Sequence, residues 1–253
     1  MIKDIVLLVA GFIVGSMNAI AGGGMLVGFP VLIALGIPAL FANATATVVT
    51  LPGQVTSAFG YRRYIRQIPW RYAWLLMPAV IGAAIGAIAL RHTPPSRFAN
   101  LVPLLLLLGV LLFTFQPVMH FHLHRHIKHE YKRWLPMALF GLILIPLSFY
   151  GGYFGAGYGF MMLAFLGLTN MPDTHMMNGM KNVAASFVAA TAMACLAGGG
   201  FIHWHAGLIM AVGSTVGGYA GSRSAQRFSS RHLRYIVIAI GLVAVAYLAS
   251  RQY

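Results

Sequence analysis

Residues 5–36 read IVLLVAGFIVGSMNAIAGGGMLVGFPVLIALG, an uncharged apolar run interrupted by Gly22-Gly23-Gly24. Each glycine costs a helix about 1 kcal/mol relative to alanine. The run therefore predicts a helix over 5–21, a break, and a second piece over 25–36. At 1.5 Å per residue, that second piece reaches only about two thirds of the way through a bilayer core of about 30 Å. The same pattern recurs at 135–168, where Gly151, Gly152, Gly155, Gly157 and Gly159 precede another short apolar piece at 157–168. Both stretches read as helical hairpins or broken helices with turns inside the membrane.

The rest of the chain agrees with a membrane setting. It is 59% hydrophobic and 8% charged, with a mean hydropathy of +0.80; a soluble domain carries about 25% charged residues. Ten apolar segments are expected, near 5–21, 25–36, 41–60, 72–90, 100–116, 135–151, 157–168, 176–198, 206–222 and 233–250. The fold class is an all-α polytopic membrane protein. A net charge of +14 invites a nucleic-acid partner. The basic residues, however, lie in short loops between apolar runs, as the positive-inside rule describes, so no nucleic acid is expected and the lipid bilayer is the partner. The single cysteine, Cys195, excludes an intrachain disulfide framework. Residues 1–21 are expected to stay as the first membrane segment rather than be cleaved as a signal peptide.

Loop charge sets an expected orientation. Arg62, Arg63, Arg66 and Arg71 crowd one loop, Arg125, Lys128, Lys132 and Arg133 a second, and Arg223, Arg227, Arg231 and Arg234 a third. Loop 199–206 has no Arg or Lys, and loop 91–99 has only Arg91 and Arg97. Placing the three rich loops in the cytoplasm puts both termini in the periplasm. The halves also echo each other. Gly22 and Gly24 match Gly155 and Gly157, Asn43 matches Asn178, Ile68/Trp70 match Ile202/Trp204, and Gly82/Gly86 match Gly217/Gly221, all offset by 133 to 135 residues. The expected organisation is a first repeat at 1–117, a cytoplasmic His-rich and basic linker at 118–134, and a second repeat at 135–253. Five segments per half make the halves insert in opposite senses. Such an inverted-topology repeat is the architecture of many secondary transporters; the competing reading is a duplicated scaffold without transport.

Broken backbone survives in hydrocarbon only where protein or a water-filled cavity satisfies it. The N-terminus of the half-helix after each break presents unpaired N–H groups and a positive dipole end, which suits an anion. Gly22, Gly23, Gly24, Gly155 and Gly157 are thus candidates to bind a small anionic solute. The alternative is close helix packing, which is the preferred reading for the GxxxG pairs Gly82/Gly86 and Gly217/Gly221. After the first hairpin, Asn43, Thr47, Thr50 and Gln54 share one helical face, with Thr45 and Ser57 nearby. After the second, Asn178, Lys181 and Asn182 share a face, with Ser186 one turn on. Lys181 stands out, because a lysine at bilayer depth costs about 3 kcal/mol on insertion scales. It is expected to attract an anion held by the amides, the alternative being that it snorkels to the headgroups. The candidate solute-binding set is Gly22, Gly23, Gly24, Asn43, Thr45, Thr47, Gln54, Gly155, Gly157, Asn178, Lys181 and Asn182.

Other motifs carry less. His120, His122, His124 and His126, followed by His129, form a tract able to bind Zn²⁺ or Cu²⁺. Neighbouring Arg125, Lys128 and Lys132 repel a cation, so a solvated linker is the default and a metal site the alternative. Asp173 beside His175 reads as an interfacial pair rather than a proton relay, and Trp70 and Trp204 as interfacial anchors. The chain has no GxxxxGK[ST], G-x-S-x-G or HExxH motif, so neither an enzyme nor a cofactor is expected.

At residues 11–54, GFIVGSMNAIAGGGMLVGFPVLIALGIPALFANATATVVTLPGQ, and 151–182, GGYFGAGYGFMMLAFLGLTNMPDTHMMNGMKN, the sequence resembles the TauE/SafE family of sulfite and organosulfonate exporters. The triple glycine, Pro30 and Ala44-Thr45 carry the resemblance in the first half; Gly155, Gly157 and Lys181-Asn182 carry it in the second. Phe160-Met161-Met162 departs from it, where the family often has a proline, and so does the His tract. The resemblance implies a secondary transporter exporting small sulfur-containing or organic anions across the bacterial inner membrane. Alternating access is the expected mechanism, and the reading leaves room for a homodimer. A passive anion channel, or a metal-handling or sensory membrane protein using the His tract, are the alternatives.

Overall fold

The computed structural model describes residues 2–126, 137–169, 171, 173–226, 239, 242–243 and 245–246. Among these the backbone is helical, with no strand. Helix α1 (Ile2–Ile20) is followed by α2 (Met25–Ala34), α3 (Ala39–Gly60) and a single turn, α4 (Arg62–Ile65). A 3₁₀ stretch, Trp70–Leu75, leads into α5 (Leu76–Arg91), and α6 (Pro95–His126) follows. The second half holds α7 (Met137–Tyr153), α8 (Tyr158–Gly167), α9 (Thr174–Ala197) and α10 (Trp204–Ala225). The tenth expected segment, 233–250, lies largely outside the described residues, as do His129 and the linker from 127 to 134. One boundary differs. Helix α6 does not stop at 116 but runs through part of the expected linker to His126, no glycine intervening to end it. The side chains of His120, His122, His124 and His126 lie outside the described residues.

Both expected breaks are present. Helix α1 ends at Ile20, Gly22 turns the chain with φ +92°, and the ten-residue α2 begins at Met25. Helix α7 ends at Tyr153, Gly155 and Gly157 take φ +77° and +88°, and the ten-residue α8 begins at Tyr158. L side chains strain this left-handed backbone, so glycine sets both turns. Three helical stretches, Ile2–Ile20, Trp70–Arg91 and Thr174–Ala197, are long and apolar enough to cross a bilayer. Ile81, Ile85 and Ile88 of α5 and Leu208, Val212 and Val216 of α10 are exposed, an apolar surface suited to lipid.

The helices pack through glycine. On α10, Gly217 lies so close to the Phe12 carbonyl of α1 that any Cβ would collide with it, and Gly221 abuts Ser16 in the same way. On α5, Gly82 meets the Ile145 carbonyl of α7 and Gly86 meets that of Phe149. Absence of a side chain brings the backbones together, the packing that membrane helices use where no hydrophobic force drives them. Helix α10 also packs on α3, where Thr56 Oγ1 donates to the Thr215 carbonyl at 2.9 Å and Ser57 Oγ to that of Gly218 at 3.2 Å. Helix α9 packs against α3 and α5. The two breaks come together among these long helices.

Candidate functional site

The backbones of the two breaks touch. A Cβ on Gly22 would stand 2.7 Å from Gly159 Cα, and one on Gly159 would stand 2.5 Å from Gly22 Cα. Beside this contact lies a cavity lined by Asn18, Gly22, Met25, Asn43, Thr47, Thr50 and Gln54 from the first half. From the second half, Gly151, Gly152, Phe154, Gly155, Tyr158 and Gly159 line it, with Ala185, Val188, Ala189 and Ala192 of α9 forming an apolar wall. Among the described residues, no Asp, Glu, Lys, Arg or His lines the cavity. Backbone, amides and hydroxyls form its polar side, opposite that apolar wall.

Its hydrogen bonds fix which atoms remain available. Asn18 Oδ1 accepts from Gly24 N–H at 2.9 Å, capping the start of α2, so its Nδ2 has no partner. Asn43 Nδ2 donates to the Tyr153 carbonyl at 2.9 Å, so its Oδ1 has none. Gln54 Oε1 is likewise unpartnered. Thr47 Oγ1 donates to the Ala44 carbonyl at 2.7 Å and Thr50 Oγ1 to that of Thr47 at 3.3 Å. Among the described residues, the main-chain N–H groups of Gly23, Met25, Gly157 and Gly159 find no acceptor. Met25 and Gly159 belong to the lining.

The candidate residues thus fall into three groups. Gly22, Asn43, Thr47, Gln54 and Gly155 line one cavity. Gly23, Gly24 and Gly157 stand behind it within the breaks. Gly23 packs on the Phe160 ring, Gly24 is held by Asn18, and Gly157 lies against the Gly109 backbone of α6. Thr45, Asn178, Lys181 and Asn182 are not among the lining residues. Thr45 Oγ1 accepts from His203 N–H at 2.9 Å, at the entry to α10. Lys181 is 1% exposed, and its Nζ donates to the Asn18 carbonyl at 2.9 Å, to Asn178 Oδ1 at 3.0 Å and to the Ala19 carbonyl at 3.5 Å. It caps the negative end of α1, instead of reaching the headgroups. Asn182 Nδ2 donates to the Asn178 carbonyl at 2.9 Å, and its Oδ1 is buried without a partner. Asp173 Oδ1 caps α9 by accepting from His175 N–H at 2.7 Å, while the His175 ring lies against Tyr64 with centroids 4.9 Å apart.

Sequence reasoning missed Asn18. Its signal was a lone amide in an apolar run, one helical turn before the glycine break. A helix that stops inside a membrane needs polar groups to finish it, and Asn18 performs that task from both its main chain and its side chain.

Apolar helices, two of them interrupted and meeting at a polar cavity, define a polytopic helical membrane protein of transporter architecture. The chain belongs to the sulfite exporter TauE/SafE family, whose model matches residues 7–248. It is 28% identical over 247 residues to a "Probable membrane transporter protein" of Haemophilus influenzae, covering 95% of this chain and 92% of that one. A Sinorhizobium protein named "Probable membrane transporter protein ORF9" is 30% identical over 245 residues, with 93% and 88% covered. Escherichia coli YfcA, also named a "Probable membrane transporter protein", is 25% identical over 249 residues, with 95% and 87% covered. No solved structure matches the chain. It is a membrane transporter of this family.

Proposed function

We propose that the protein is a secondary transporter of small anions, sulfite or organosulfonates among them, held at the cavity between the two glycine breaks. Sites of this kind use half-helix N-termini to meet anionic groups near the bilayer midplane. The observation that carries the reading is the meeting of the breaks at one cavity where Asn18 Nδ2 and main-chain N–H groups have no partner. Buried donors without partners cost about 1–3 kcal/mol each, a cost that a bound oxyanion relieves. Thr47 and Thr50 can turn their hydroxyls toward such a solute. Lys181 acts from behind, holding the end of α1 that carries Asn18.

An inverted repeat supplies the moving parts. The reading is supported by contacts that match across the halves. Gly82 meets Ile145 as Gly217 meets Phe12, and Gly86 meets Phe149 as Gly221 meets Ser16, at the same offsets in both pairs. Each half thereby packs its α5-type helix on the first helix of the other half. Rocking one bundle against the other would open the cavity to alternate sides, with export outward across the bacterial inner membrane and both termini periplasmic. The test is flux in proteoliposomes. Saturable sulfite or sulfonate uptake, stimulated by the same anion inside, is expected. Flux rising linearly without trans-stimulation would establish a channel instead, and no flux of any small anion would overturn the reading.

A further inference from the structure

The cavity's unpartnered atoms are of opposite kinds, and neighbouring bonds pin which is which. Asn18 cannot flip its amide, because Gly24 N–H must be met by Oδ1. Asn43 cannot flip either, because the Tyr153 carbonyl must be met by Nδ2. Both residues are more than nine-tenths buried, at 4% and 2% exposure. Two residues of the lining therefore carry one fixed donor, Asn18 Nδ2, and one fixed acceptor, Asn43 Oδ1, both buried and without partners. Gln54 Oε1 adds a second unpartnered acceptor. A solute with oxygen acceptors alone satisfies the donor and leaves the acceptors desolvated. Such a solute also brings its lone pairs toward them.

We infer that the preferred solute is a singly charged oxyanion that also carries a hydrogen-bond donor, an O–H or N–H placed to reach Asn43 Oδ1. The inference rests on the anion-carrier reading and refines it. Single charge follows from the lining, which among the described residues has no cationic side chain to balance a second one. The nearest ammonium, on Lys181, already serves three acceptors. Dipoles and neutral amides can hold one spread charge, whereas a dianion in a low-dielectric pocket needs fixed countercharge.

A matched pair of probes isolates the donor. Isethionate and ethanesulfonate share the sulfonate head and the two-carbon chain and differ by one hydroxyl. In proteoliposomes containing the full chain, each is tested as an inhibitor of trans-stimulated sulfite exchange, with sulfate as the dianionic comparator. Isethionate is expected to be at least about fivefold more potent than ethanesulfonate, the least that satisfying a buried acceptor brings, and sulfate is expected to be the weakest. Asn43→Leu, which removes the acceptor, is expected to bring the isethionate-to-ethanesulfonate ratio to about one. If that variant fails to fold, the wild-type ratio decides alone. Equal potency of the two sulfonates, or stronger inhibition by sulfate, overturns the inference and leaves the carrier reading standing. Absence of sulfite exchange and of any inhibitable flux overturns both.

Discussion

Replacing Asn18 by aspartate separates its two tasks. Its Oδ1 accepts from Gly24 N–H at 2.9 Å, and its Nδ2 lies unpartnered at the cavity. Asn18→Asp keeps the shape and the acceptor. The added negative charge sits beside the N-terminus of α2, where the helix dipole favours it by about 0.3–1 kcal/mol. Lys181 Nζ, bonded to the main-chain carbonyl of the same residue, is close enough to offset part of the burial cost. A carboxylate at this depth costs about 3 kcal/mol, so folding stability should fall by about 2–3 kcal/mol after the dipole's share is returned. Solute binding should not survive. The change removes a hydrogen bond to a charged solute, about 1.5–3 kcal/mol. It adds repulsion between two unit charges, about 4 kcal/mol at 4 Å and an effective dielectric of 20. Even with half of that repulsion screened by Lys181, affinity falls by about three orders of magnitude. Thermal unfolding in detergent and trans-stimulated sulfite exchange in proteoliposomes read the two effects apart. Asn18→Ala is the complement, leaving Gly24 N–H unpaired and lowering stability by about 1–3 kcal/mol. An Asn18→Asp protein that folds and still exchanges sulfite at more than about a tenth of the wild-type rate would refute the placement of the solute at this amide.

Gly82→Val and Gly217→Val should each lower stability by about 1–3 kcal/mol or more, because the new Cβ meets a backbone carbonyl. Gly198→Ala, with open space around it, should stay within about 0.5 kcal/mol in the same thermal assay. Thr45→Val removes the acceptor of His203 N–H and should cost about 1–3 kcal/mol of stability. Exchange per folded molecule should be unchanged, since Thr45 does not line the cavity. Lys181→Met removes the donor to the Asn18 carbonyl at the end of α1 and to Asn178 Oδ1, at about 1–3 kcal/mol each, but relieves a buried ammonium worth about 3 kcal/mol. The terms nearly offset, so global stability should change little while amide hydrogen exchange at residues 19–24 accelerates. Unchanged protection there would dismiss the capping role.

The breaks were legible because glycine acts locally. A triple glycine inside an apolar run has few ways to stay helical, and the backbone turns where the composition said it would, at Gly22 and again at Gly155. The polar face of α3 was legible because helical period alone puts Asn43, Thr47 and Gln54 on one side, and they do share the cavity. Lys181 was legible as anomalous but not in its task. Its partner is a carbonyl 163 residues away on α1, and a main-chain oxygen leaves no mark in the sequence. Thr45 was out of reach for the same reason. Helical spacing places it near Asn43, but its hydroxyl oxygen turns to the backbone of His203, a contact set by how α10 packs on α3.

The halves keep the same bond at each break but not the same charge. Asn43 Nδ2 donates to the Tyr153 carbonyl at the end of α7, and Lys181 Nζ donates to the Asn18 carbonyl at the end of α1. Each bond is a seam that ties the helix after one hairpin to the first helix of the other half. One is closed by a neutral amide, whose hydrogen bond contributes about 0.5–1.5 kcal/mol net, and the other by an ammonium, whose bonds contribute about 1.5–3 kcal/mol each. On the carrier reading, opening the cavity parts these seams, and the neutral one gives way at lower cost. The side of the cavity bounded by α3 and α7 is therefore expected to open first. On the same reading, the charged seam at α1 keeps Asn18 in position during that opening.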